Sequence, residues 1–417
     1  MADINRQRTQ THLQTLDVEA LVLSKPESFI WATGAPPGVA AFFRRAGAAL
    51  ALVPADAAAP IAAVVTELFA TQARRILGDS HVRTHPDWVE TADIRSVLKA
   101  NPDATAVMSV NQAHLTSGRA AGFERPAVFD IGLALRQLGE LLRERGLANA
   151  RIGLDFDFWP VVDFQILQTT LPNVRWVDAS TTVAAIKAVK STAEITRLIQ
   201  AASLAEAGMR HALSQVTEGI TRDAIAAAWH AGVATEAQRT GTKLTGQWEY
   251  TTVGALPWQG GGVLQQGDVL KFDVGCLVEG YSSDSGRTYV LGQPRARTYD
   301  IMQTLANAFA AGLEVLRPGY LLSDVYTRTT QAIRKAGFSS FTRGHFGHSL
   351  GQDTFCEVAP FIAAQSHTPI EPGMVLAFET PLYVDGEGGF IIEDQFVITE
   401  TGATPAWTLP RELTSLS

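Results

Sequence analysis

Short apolar runs separated by amphipathic stretches fill the first half of the chain. Ala20-Leu21-Val22-Leu23 closes at Lys25-Pro26, Ala48–Val53 closes at Pro54, and Arg151–Asp155 follows a helical pattern over Leu133–Arg145. Runs that are apolar on both sides of the pleat predict strands covered on both faces, and their alternation with helices predicts an α/β domain. Ser191-Thr-Ala-Glu194 has the spacing of a capping box, and Ile195, Leu198, Ile199 and Ala202 then recur at helical spacing. A long amphipathic helix therefore opens there. The seam near residues 178–191 divides the chain into expected domains 1–178 and 179–417. Beyond Gly267 strand pairs with glycine turns take over, interrupted by a helix around Tyr299–Leu316, so the second domain reads as α+β.

Composition narrows the partners. The 417 residues are 46% hydrophobic, enough for two cores, and 42 acidic against 34 basic residues leave a net charge of −8. That sign argues against nucleic acid or an anionic membrane surface as partner. The two cysteines, Cys276 and Cys356, make neither a disulfide framework nor a thiolate zinc cage. The most apolar stretch, Ala46–Val65, is broken by Pro54, Asp56 and Pro60 and falls short of the roughly 20 apolar residues of a membrane span. The opening MADINRQRTQ lacks an apolar signal region, so a soluble cytoplasmic protein is expected.

Candidate chemistry lies in the second domain. Asp273 stands on a strand pattern with Leu270, Phe272 and Val274 on the opposite face, and Asp284 follows eleven residues later. A turn at Val278-Glu279 would make the two aspartates direct cross-strand partners, with Cβ atoms about 4.5–5.5 Å apart. Glu379 and Glu393 flank Asp385-Gly-Glu-Gly-Gly at an even separation, so a symmetric hairpin centred on Gly386 puts them on one face as well. Between the hairpins lies the densest histidine cluster, Arg343-Gly-His345-Phe-Gly-His348. Each residue alone has a plain reading: a turn aspartate, a solvated glutamate, a core histidine. Facing carboxylates repel, however, unless something positive lies between them, and a pair of divalent metals about 3.5–4 Å apart would serve. Four carboxylates and one imidazole form a hard, oxygen-rich set suited to manganese, iron, cobalt or zinc.

The same five residues carry a family resemblance. Asp273 and Asp284 in FDVGCLVEGYSSDSGRT, His348 in GHSLG, Glu379 in PGMVLAFETPLY and Glu393 in IIEDQFVIT resemble the creatinase/prolidase/aminopeptidase P family of pita-bread proteins. LVLSKPESFIWATG (Leu21–Gly34) resembles its N-terminal domain and IKAVKSTAEITRLIQAA (Ile186–Ala202) its inter-domain lead helix. The resemblance implies an α/β N-terminal domain, an α+β pita-bread C-terminal domain, and two divalent metal ions, manganese first. Asp273 would chelate one ion, Asp284 and Glu393 would bridge both, and His348 and Glu379 would bind the second. Glu379 would also be general base toward the bridging water. A homodimer is implied too.

Four departures stand out. Trp258 occupies the place of the family peptidases' histidine before the first aspartate, and Phe355 or Cys356 that of their second histidine. Ile391 replaces an arginine and Gly286 a threonine. Trp258 and Phe355 are expected to wall the substrate pocket and leave it apolar and poor in proton donors. His345 and Glu357 are the candidates to supply the missing catalytic contacts; the alternatives are a buried histidine bonded to backbone and a loop cap before Pro360. The leading expectation is a metal-dependent hydrolase of the Xaa-Pro dipeptidase or aminopeptidase P type, cleaving a C–N bond in a short peptide or amide-like small molecule. A non-peptide hydrolase or lyase of the same family, such as an ectoine-hydrolase-like enzyme, is the alternative. A non-catalytic pita-bread binding module and a metal-free creatinase-like enzyme are disfavoured, because burying four carboxylates without metal costs on the order of several kcal/mol.

Overall fold

The apolar runs of the first half become one mixed sheet. Its strands β1 (Ala20–Leu23), β2 (Leu50–Pro54), β3 (Ala62–Thr66), β4 (Val82–His85), β5 (Arg151–Leu154) and β6 (Arg175–Asp178) lie in the order β4-β3-β2-β1-β5-β6. Every residue of β1, β2 and β3 is buried, as strands covered on both faces require. The helix Ile131–Glu144, capped by Asp130, packs Leu135, Leu138, Leu141 and Leu142 into the core of this sheet. The computed structural model describes residues 2–88, 92–116, 128–258, 261–353 and 357–417, and they fall into two units, Met1–Val183 and Ala184–Ser417.

In the second unit the capping box forms. Ser191 Oγ accepts the Glu194 N–H at 3.3 Å and Glu194 Oε2 accepts the Ser191 N–H at 2.7 Å, and the helix runs Thr192–Leu213. Leu198 and Ala202 are buried but Ile199 is exposed, so the apolar stripe is narrower than the spacing suggests. This helix and Arg222–Thr240 form a core with Leu270, Phe272, Val274 and Cys276, all on one face of the long strand Val269–Val278.

The sheet of this unit joins β7 (Leu244–Glu249), β8 (Thr252–Val253), β9 (Val269–Val278), β10 (Tyr281–Ser282), β11 (Ser285–Leu291), β12 (His345–Ser349), β13 (Val358–Ala363), β14 (Val375–Glu379), β17 (Glu393–Ile398), β18 (Ala403–Pro405) and β19 (Thr414–Leu416). Its central order is β10-β9-β11-β17-β14-β12-β13, and β15 (Leu382–Val384) pairs with β16 (Gly388–Phe390) in a separate ribbon. Helices Ala296–Leu313 and Leu322–Lys335 cover Leu376, Phe378 and Phe396. An α/β unit is thus followed by an α+β unit. Among the described residues no helix is long and apolar enough to cross a membrane.

One buried carboxylate fixes the edge where β1 ends. Asp155, just past β5, accepts the backbone N–H groups of Ser24 (2.8 Å) and Lys25 (2.7 Å) and the Ser24 hydroxyl (2.7 Å). The helix Pro26–Thr33 starts directly after these donors. Asp155→Ala strands them in the interior and is expected to lower the unfolding free energy by about 2–4 kcal/mol in chemical denaturation of the full chain.

Candidate metal centre

Five neighbouring strands each bring one of the five residues singled out above. Asp273 is on β9, Asp284 directly precedes β11, Glu393 opens β17, Glu379 ends β14 and His348 is on β12. Three of them share a line across the sheet, because Asp273 pairs with Gly286, Gly286 with Glu393, and Glu393 with Glu379. The symmetric hairpin about Gly386 is therefore present, and its register continues through β15 and β16. His348 stands one step along, opposite Ala377. The strand before it comes so near β14 that only a glycine fits: Gly347 has φ +134°, and a Cβ there would lie 2.0 Å from the Ala377 carbonyl oxygen.

The first hairpin differs from expectation by one residue. Its turn is Glu279-Gly280, with φ +50° and +83°, and not Val278-Glu279. Both central residues have positive φ, the conformation that matches strand twist in a two-residue hairpin. Moving the turn one place moves every partner two places, so Asp273 faces Gly286, and Asp284 stands two residues away as its diagonal neighbour on the same face. The direct pairing is wrong, whereas the shared face survives.

All five residues line one small cavity of about 80 Å³. Asp284, His348 and Glu393 are buried, and each offers a ligand atom lying within 4.8 Å of the others. His348 Nε2 is 3.3 Å from Asp284 Oδ2, while Nδ1 is 3.1 Å from the Ser349 carbonyl oxygen. The carbonyl fixes the proton on Nδ1 and turns Nε2 toward the carboxylates. Burial, and then the charges of Asp284, Glu379 and Asp273, push the Glu393 carboxyl well above its usual range. Burial alone would lower His348, but Asp284 beside it prevails and raises it. A crowded carboxylate takes up either a proton or a cation, and two carboxylates with one imidazole nitrogen fit a hard divalent ion.

The other two carboxylates already hold cations that the sequence pattern had not marked. Lys271 Nζ is 3.2 Å from Asp273 Oδ2, and Arg343 Nη2 is 2.6 Å from Glu379 Oε1. Burial works against both charges, yet Asp273 holds the Lys271 ammonium, and Glu379 the Arg343 guanidinium, above their ordinary values. Period-two alternation could have found Lys271, since it is two residues from Asp273 on one strand; nothing in the local sequence points Arg343 at Glu379.

His345 and Glu357 also converge here. His345 Nε2 is 3.6 Å from Glu357 Oε2 and Nδ1 is 3.8 Å from Glu379 Oε1, and Glu357 lines the cavity. His345 Nδ1 accepts the Gly347 N–H at 3.2 Å, and burial lowers the pKa of the ring. Trp258 does not line the cavity. It is 68% exposed and touches its wall through Tyr383, ring to ring at 5.6 Å. Phe355 and Cys356 lie outside the described residues. The cavity is not the donor-poor pocket expected, because Arg343, Tyr250 and Tyr383 face it along with Trp248. Gly286 and Ile391 prove to be a single feature. A Cβ on Gly286 would stand 2.8 Å from Ile391 Cγ2, so the isoleucine fills the space that the glycine leaves.

Comparison with known proteins agrees with this architecture. Residues 5–189 match the creatinase/prolidase N-terminal domain and residues 196–400 match metallopeptidase family M24. Among curated relatives, the chain is 27% identical to a Xaa-Pro dipeptidase of Lactobacillus delbrueckii subsp. lactis, over 61% of this chain and 69% of that one. It is 26% identical to a creatinase of Bacillus sp. (strain B-0618), over 63% and 67%. In fold it is similar to a Xaa-Pro dipeptidase from Bacillus anthracis, with TM-score 0.74 and 18% identity over 99% of this chain and 100% of that one. The match to metallopeptidase family M24, with ligand atoms of Asp284, His348 and Glu393 close together, supports a metal-dependent peptidase. The chain belongs to the creatinase/prolidase/aminopeptidase P family.

Behind the cavity a buried ion pair anchors Glu393. Arg287 Nη2 meets Asp394 Oδ1 at 2.6 Å, Arg287 Nη1 donates to the Glu393 carbonyl at 2.6 Å, and Arg411 binds the second oxygen of Asp394 at 2.5 Å. Arg287→Met leaves Asp394 with half its partners in a dry interior. A loss of about 3–5 kcal/mol in unfolding free energy is expected, measured by chemical denaturation.

Proposed function

We propose that this protein is a hydrolase of the Xaa-Pro dipeptidase or aminopeptidase P type, cleaving a C–N bond in a short peptide or amide-like small molecule. Asp273, Asp284, His348, Glu379 and Glu393 would hold two divalent ions, manganese first. One observation carries it: five adjacent strands deliver all five side chains to one cavity. Ions bound there would polarise the scissile carbonyl and make water more acidic.

The chain's own groups would do the rest. Arg343 holds Oε1 of Glu379, which leaves Oε2 to take the proton of the attacking water and pass it to the departing amine. The neutral His345 ring accepts the Gly347 N–H on Nδ1, so its proton is on Nε2, which faces Glu357 Oε2 at 3.6 Å, and the pair would supply a donor to the carbonyl oxygen as negative charge develops. One such donor is worth about 2.7–4 kcal/mol. Non-peptide chemistry, as a hydrolase or lyase, is the second reading. It is favoured by Ile391 closing over Gly286 where family peptidases carry an arginine.

Elemental analysis of the purified protein, with turnover of Xaa-Pro dipeptides and of cyclic and acyl amides, separates these readings. Glu379→Gln is expected to lower kcat by about 10²–10⁴-fold, and Asp284→Ala or Glu393→Ala to lose bound metal as well as activity. Metal-loaded protein that cleaves no amide would favour the lyase, and protein that binds no divalent ion would reject both. Xaa-Pro turnover untouched by His345→Ala and Glu357→Gln would remove those two from the mechanism.

We also propose a homodimer. Phe42, Phe43 and Trp88 are exposed in the first unit, with Phe43 and Trp88 rings 5.7 Å apart, and exposed apolar clusters favour association. Light scattering should give twice the 44.8 kDa chain mass, and a single-chain mass would reject the dimer.

A further inference from the structure

The cavity that the five strands build is small. Its volume of about 80 Å³ holds the reacting group but not a whole substrate, since sites that enclose small molecules measure roughly 300–1,000 Å³. The rest of any substrate must therefore lie over the residues around it. Aromatic rings are prominent among them. Trp248, Tyr250 and Tyr383 line the cavity, and Trp258 stands outside it against Tyr383, with ring planes at 42°. Tyr250 is 54% exposed and Trp258 is 68% exposed.

We propose that Trp258 is a specificity-determining residue: its indole binds a flat ring that the substrate carries outside the cavity, which makes the substrates amides or short peptides with an aromatic group next to the scissile bond. This rests on the hydrolase reading above and names its substrate class.

The indole is built into place. The Gly386 N–H donates to the Ala255 carbonyl at 3.0 Å, which ties the loop that bears Trp258 to the ribbon of β15 and β16. Two glycines of β16 let that loop lie flush on the ribbon. A Cβ on Gly388 would stand 2.8 Å from the Gly254 carbonyl oxygen, and one on Gly389 would stand 3.2 Å from the Pro257 carbonyl oxygen. Trp258 follows directly after these contacts and meets Tyr383 of the same ribbon. A tryptophan turns about only two side-chain bonds, so a ring that docks on it orders little. In water the indole leaves apolar area uncovered, and a stacked ring covers it. The charged groups of the wall already have partners: Arg343 holds Glu379, and His345 faces Glu357.

Calorimetric titration of Mn2+-loaded full-length protein with uncleavable reduced-bond isosteres of dipeptides tests this. Phe-Pro against Leu-Pro places the ring on one side of the scissile bond, and Gly-Phe against Gly-Leu places it on the other. Wild type is expected to bind the phenylalanine member of at least one pair about three- to tenfold more tightly, and KM for the matching dipeptides should show the same ratio. Trp258→Leu, which keeps an apolar side chain, should bring that ratio near one, whereas Trp258→Phe, which keeps a ring, should preserve it. A ratio near one or no binding in both pairs, or a preference that survives in Trp258→Leu, overturns the proposal. So does a fall in the light-scattering mass of Trp258→Leu below that of wild type, which would assign the indole to a subunit contact. Ring preference in binding without turnover of any amide would overturn the hydrolase reading instead and leave the indole's ring binding standing.

Discussion

Mutual repulsion of carboxylates crowded into one small cavity is the constraint on which the second unit is built. Left alone, such a cluster would take up protons or push its strands apart; burial first, and then the neighbouring carboxylates, raise the Glu393 carboxyl above its usual range. The fold answers with positive charge of three kinds. A histidine held by a backbone carbonyl leans on Asp284, a lysine and an arginine pair with Asp273 and Glu379, and the remaining demand is what a divalent ion satisfies. Arg287 and Arg411 belong to the same balance, since they neutralise Asp394 next to Glu393 from the far side.

A sheet suits this task because alternation separates two environments within one strand. On β9 the even-numbered residues Leu270 to Cys276 enter the helix-covered core, while Lys271 and Asp273 look the other way. The apolar face fixes the strand, and the fixed strand holds the charges at distances they would not choose. Preorganisation of the site and stability of the core are therefore the same property seen from two faces. Glycines do complementary work: Gly347 lets β12 approach β14, and Gly286 makes room for Ile391.

Much of this was legible in the sequence. The buried strands of the first unit, the capping box at Ser191, and the Glu379–Glu393 register all follow from local pattern, because alternation and turn chemistry act over a few residues. The Asp273 hairpin turns one residue later than the spacing of the aspartates suggests, because β-branched Val278 stays in the strand and Glu279-Gly280 supplies the positive φ that a two-residue turn needs. Arg343 was not legible at all. Its partner Glu379 is thirty-six residues away, and nothing short-range connects them. Trp258 looked like a pocket wall from its place in the family pattern, but its side chain is directed by Tyr383 and open solvent.

The two ligand hairpins leave little room for sequence drift. In the Asp385–Gly389 loop Gly386 and Gly388 have positive φ, and a Cβ on Gly388 would stand 2.8 Å from the Gly254 carbonyl oxygen. A single inserted residue there would turn Glu379 and Glu393 to opposite sides of the sheet, since the ribbon of β15 and β16 keeps the same register. At Glu279-Gly280 the hairpin has no slack either, because two residues are the whole turn. Length variation among relatives should thus collect elsewhere on the chain. The metal centre is protected by the arithmetic of its loops as well as by their glycines.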